Sequence, residues 1–130
     1  MTREYYQRQG YEVSSYIDEA TIDRAERDVR AAYIAPIVGA AEIPDEQLQP
    51  IVANLAFLLL LQRTIFATRA GAKTKTGYNS ADADAWAKLQ QEATACHLKL
   101  ETLRTFPGVN TTAKVQDICK IYFKTNFISL

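Results

Sequence analysis

Residues 51–61, IVANLAFLLLL, are apolar at every position except Asn54, and the polar pair Gln62 and Arg63 closes the run. A helix needs about 20 predominantly apolar residues to cross a bilayer, so this run is too short. Extending it through Thr64, Ile65 and Phe66 would bury Arg63, and a charge at mid-membrane costs at least about 2.5 kcal/mol. Nor does it resemble a signal sequence, because it lies in mid-chain and the opening MTREYYQRQGYEV is polar and aromatic. The pattern predicts a soluble helix that is apolar on most sides. Such a helix must be covered, either at the centre of a bundle or with the help of another subunit.

The flanking segments have different periods. Tyr5, Tyr6 and Tyr11 follow neither a helical nor an alternating pattern, so residues 1–14 read as an arm. From about Ser15, Ile22, Ala25, Val29, Ala32 and Pro36 recur at three- and four-residue steps, with Arg24, Arg27, Asp28 and Arg30 mostly on the other side. Pro36 and Gly39 predict a stop or kink near Ala35 and a left-handed cap by Gly39. AAEIPDEQLQP connects to the central helix, with Asp45 and Glu46 suited to its positive end. That helix is expected to run to about Arg69 and to break at Gly71, ahead of the loop GAKTKTGYNS.

A further helix follows, capped by Ser80 or Asp82. Trp86, Leu89, Ala93, Cys96, Leu100 and Leu103 alternate steps of three and four, which puts all six on one narrow seam suited to a close partner helix. Pro107 and Gly108 stop it. In the last stretch, Val115, Ile118, Cys119 and Tyr122 fit a helix started by a threonine cap, whereas KIYFKTNFISL is β-branched and aromatic enough for an extended tail. Phe123, Phe127 and Leu130 are each worth about 1.5–3 kcal/mol when fully buried, which makes them candidates for docking, onto this chain or another. The expected fold is all-α: one domain over residues 1–130, a small bundle of three to four helices in residues 15–105, an N-terminal arm and a C-terminal helix or extended tail over 106–130.

Composition changes this picture little. At 130 residues, 48% hydrophobic and 23% charged, the chain has the make-up of a globular protein. Its fifteen basic and fifteen acidic residues cancel, leaving no overall field for nucleic acid or an anionic membrane. The charges are split, however. Residues 1–48 carry five basic and ten acidic side chains and residues 49–130 carry ten and five, an arrangement that can attract within one fold or between copies in a ring. Two cysteines make no disulfide framework, so reduced thiols are expected.

Candidate chemistry is sparse. His97 is the only histidine and follows Cys96 directly, but adjacent helical residues point about 100° apart, so the two form no nucleophile and base pair. One histidine and two cysteines 23 positions apart match no zinc spacing. Asp82 and Asp84 in ADADA lack the further oxygen ligands of a calcium loop and suit a first helical turn. Gly71 and Gly77 are spaced close to the glycines of a phosphate-binding loop, one position wider, and Tyr78 and Asn79 stand where Lys and Ser or Thr belong. No catalytic, cofactor or metal residue is therefore assigned. Arg69, Lys73 and Lys75 with Tyr78 form a basic loop with an aromatic, able to touch an acidic protein surface or a nucleic-acid backbone or simply to be solvated.

The order RAERDVRAAYIAPIVG, an acidic connector with proline, LQPIVANLAFLLLLQRTIFATRAG and then AKTKTGYNSAD resembles the small head-tail connector (head-completion or adaptor) proteins of long-tailed phages and prophages, particularly forms in Bacteroidetes genomes. The resemblance covers roughly residues 17–105, and YIAPIVG and TRAGAKTKTGYNS carry most of it. It implies a helical, non-enzymatic protein without cofactors, assembled in the host bacterial cytoplasm into a ring between portal and tail at the virion head-tail junction. Its partners would be copies of itself, the portal protein and tail-completion proteins, with non-specific DNA contact in the channel and no membrane. Tyr33 and Ile37 would then pack the first helix, and Leu55, Leu58, Leu59 and Phe66 the central one. Lys73, Lys75 and Tyr78 would face a neighbouring subunit, the portal or the channel. A helical protein-binding or regulatory module is the alternative.

Overall fold

The computed structural model describes the backbone of residues 1–71 and 80–115 and, within these, the side chains of residues 1–62 and 87–115. The described residues are helical with no strand: α1 (Arg3–Arg8), α2 (Glu19–Val29), a π-helical turn (Arg30–Ile34), α3 (Ala35–Val38), α4 (Asp45–Gly71), α5 (Ser80–Thr102) and a closing 3-10 turn (Leu103–Thr105). The small all-α bundle expected from the pattern is what forms. Its centre is α4, which packs against α2 on one side and α5 on the other.

All eight residues from Ile51 to Leu58 are buried, Asn54 included. The covering of this stretch comes from the chain's own elements, which is the first of the two alternatives that an all-round apolar helix allows. Leu59 and Leu61 are half-buried against the same core. Pro50 lies inside α4, early enough that its missing N–H costs one bond near the helix start and not in the packed middle.

Residues 1–11 are more than an arm. Thr2 caps α1 by accepting a hydrogen bond from the Tyr5 N–H at 3.2 Å. Tyr6 is wholly buried, and the Tyr11 ring stacks on Phe57 of α4 at a centroid distance of 4.9 Å. A six-residue helix makes fewer than two turns, so its sequence shows no period, yet two aromatic side chains are enough to dock it.

The linker to α2 is held by Arg3, whose guanidinium donates to the carbonyls of Val13 (3.2 Å), Ser14 (3.0 Å) and Ile17. This linker takes up residues that the periodicity had placed at the start of the helix, and α2 begins instead at Glu19. Asp18 caps it, accepting from the Thr21 N–H at 2.8 Å and from the Thr21 hydroxyl at 2.6 Å, which holds the Asp18 carboxyl below its ordinary pKa.

Ile22, Ala25 and Val29 face the core as their spacing predicts, but Ala32 is exposed and Pro36 only half-buried. The π-turn explains the change. The Ala35 N–H donates to the Arg30 carbonyl, five residues back, so one extra residue is wound into the turn and the buried positions become Ile34 and Ile37. Pro36 sits just past this widened turn, where an ordinary helix would bring its ring against the carbonyl four residues earlier. Gly39 ends the segment at φ 54°, ψ −124°: a positive φ as expected, though not the left-handed helical cap.

α5 buries Leu89, Ala93, Cys96 and Leu100, and Leu103 follows in the 3-10 turn, so the described part of the seam is as predicted. Trp86 lies outside the described side chains. After Phe106 the chain turns back, and the Asn110 N–H donates to the Ile37 carbonyl at 2.8 Å. Thr111 and Thr112 start no helix as far as Val115: Asn110 Oδ1 accepts from the Thr112 N–H at 3.2 Å and makes a local turn. The remainder of the proposed C-terminal helix or tail lies outside the described residues.

Candidate functional site

The backbone of Arg69 belongs to the last turns of α4, but its side chain, together with Lys73, Lys75 and Tyr78, lies outside the described residues. The same holds for Phe123, Phe127 and Leu130. Of the positions tied to the connector resemblance, Ile37, Leu55 and Leu58 are buried and Tyr33 and Leu59 half-buried, while Phe66 is again outside.

Cys96 is fully buried on the α5 seam and behaves there as a small apolar side chain. Two tyrosines feel it from other elements. Tyr11 is pushed up to about 12, chiefly by burial and then by Cys96, Glu92 and Tyr5, and Tyr33 is raised by burial and by Cys96. His97 points elsewhere: its Nε2 lies 3.8 Å from Glu101 Oε1, beyond a hydrogen bond, and its buried Nδ1 has no partner. Among the described residues, no group of three or more His, Cys, Asp or Glu is placed to hold a metal ion, and no helix is long and apolar enough to cross a membrane.

Two polar clusters within the core are the most structured chemistry among the described residues, and both escaped the sequence pattern. In the first, the Glu26 carboxylate on α2 accepts from the Tyr6 hydroxyl at 2.6 Å through Oε2 and from the Met1 ammonium at 2.9 Å through Oε1. Asp23 lies 3.8 Å from the same ammonium. Burial, the bond to Glu26 and the negative charges of Glu26 and Asp23 push the Tyr6 hydroxyl far above the ordinary tyrosine range. The signal for Glu26 was geometric: it stands four residues after Ile22 and three before Val29, on the flank of the buried face, but the charged run DRAERD around it reads as solvent-facing.

In the second cluster, Asn54 sits fully buried on α4, and its Oδ1 accepts from the Lys99 ammonium at 3.3 Å. Its Nδ2 has no partner. Lys99 is an exposed residue of α5 whose long side chain carries its ammonium in to Asn54. Both clusters tie one helix to another, and neither brings together a nucleophile, a base and an open space for a substrate.

Comparison with protein-family models, with curated proteins and with solved structures finds no match for this chain.

Proposed function

We propose that this chain is a structural head-tail connector of a tailed phage or prophage, acting by shape and contact between portal and tail and not by catalysis. The observation that carries the reading is the order of segments: YIAPIVG, the long apolar helix, then TRAGAKTKTGYNS leading into a charged helix. The helical fold supports it, as does the corner made by YIAPIVG, where Ile34 and Ile37 anchor the π-turn and α3 into the core. In this reading copies of the chain form a ring, with the portal and tail-completion proteins as further partners. The basic loop at Lys73, Lys75 and Tyr78 is assigned to a neighbouring copy, the portal or DNA in the channel.

One observation favours a second reading. Residues 51–58 are already covered within a single chain, so a neighbouring copy is not needed there, as suits a helical protein-binding or regulatory module.

Light scattering after size exclusion, across a concentration series and with or without the portal protein of the same phage or prophage, separates the two. A large closed oligomer, or co-migration with the portal, is the expected result. A monomer or dimer that ignores the portal at high concentration would overturn the connector reading and leave the binding module.

A further inference from the structure

α4 buries eight successive residues, so its apolar pattern does not specify which face meets α2 and which meets α5. A helix with this property can rotate about its axis, or shift by a turn along it, and still bury apolar surface. Asn54 is the only polar residue between Ile51 and Leu61. It is fully buried, its carbonyl oxygen takes the Lys99 ammonium at 3.3 Å, and its amide nitrogen is left without a partner. A buried amide with an unmade bond costs stability, and a polar residue inside a helix interface is best attested as a device that fixes register. We propose that the Asn54–Lys99 contact is the catch that holds α4 in one rotational and axial register against α5.

The geometry suits that task. Lys99 flanks the seam formed by Ala93, Cys96, Leu100 and Leu103, so its ammonium reaches α4 from the edge of the interface. Rotating α4 by one residue swings Asn54 about 100° away and breaks the contact. Sliding it by one turn moves Asn54 about 5.4 Å along the axis, beyond hydrogen-bond reach of the ammonium in its present position. Either shift therefore takes the Lys99 bond from the buried amide while Lys99 returns to water, which makes the contact a discriminator between packings.

The test uses the full chain and reads uniqueness of packing separately from stability. Asn54→Leu is expected to raise the denaturation midpoint while splitting or broadening the amide resonances of α4 and α5, with more than one set of contacts between the two helices. Asn54→Asp, which retains an acceptor for Lys99, is expected to keep one sharp set. Lys99→Met leaves α4 unaltered and is expected to lose the single set; it carries the test if the Asn54 variants do not fold. A single sharp set with wild-type α4–α5 contacts in Asn54→Leu, or in Lys99→Met, would overturn the proposal.

Discussion

α4 and α5 lie side by side and share an interface, yet they use their sequences in opposite ways. Over its described side chains, α5 buries one narrow seam and leaves Gln91, Thr94, Ala95, Leu98 and Thr102 exposed. α4 has no outer side from Ile51 to Leu58. The contrast shows that a helix can be specified by spacing or by composition. Spacing tells a helix how to face; composition tells it only to be inside.

The sharpest way to break this comparison is to place the same charge on both helices. Ala56→Asp puts a carboxyl group where nothing pairs with it, and the chain is expected not to fold, as read by circular dichroism, because an unpaired buried carboxyl costs several kcal/mol, comparable to a domain's net stability of about 5–15 kcal/mol. Ala95→Asp, on the exposed face of α5, is expected to cost less than about 1 kcal/mol in a urea titration. Truncation gives a graded version. Leu55→Ala should cost about 2–5 kcal/mol, and Leu100→Ala on the α5 seam the same, whereas Leu98→Ala, at 64% exposure, should stay within about 0.5 kcal/mol. A cost at Leu98 comparable to that at Leu55 would mean that the outer face of α5 is covered in solution.

Alkaline pH sharpens the comparison at the other flank of α4, where Tyr11 stacks on Phe57. The folded-state pKa of Tyr11 is raised to about 12, and that of Tyr6 lies higher still. A group raised in this way contributes stability that is complete below its unfolded pKa of about 10 and is lost as pH climbs from there toward the folded value. The denaturation midpoint is thus expected to fall between about pH 10 and 12, and less so in Tyr11→Phe. An equal fall in wild type and Tyr11→Phe would remove Tyr11 from the account.

How much of this was legible follows from the same contrast. The α5 seam could be read residue by residue because steps of three and four repeat over it, and Leu89, Ala93, Cys96, Leu100 and Leu103 are all buried. The burial of α4 was legible from composition, but its partners were not, since a helix without a face points nowhere. Ala32 was misplaced because a π-turn adds a residue that no fixed period anticipates, and α1 was missed because six residues are too few to show one. The candidate interaction residues at Lys73, Lys75, Tyr78, Phe123, Phe127 and Leu130 lie outside the described residues. The Glu26 cluster was invisible because it depends on Tyr6 arriving from 20 positions away.

The arginine at each end of the fold has a consequence for how the chain can vary. Arg3 holds the carbonyls of Val13, Ser14 and Ile17, and Arg104 holds those of Thr111 and Ala113 while Glu101 steadies its guanidinium at 2.7 Å. A main-chain oxygen is common to all twenty amino acids, so these grips are blind to which side chains the loops carry. Val13, Ile17 and Ala113 also pack on the core, so the freedom this leaves falls on Ser14 and Thr111, where a new side chain keeps the grip. Those two positions are therefore natural places to write a new recognition contact into this scaffold without redrawing its core.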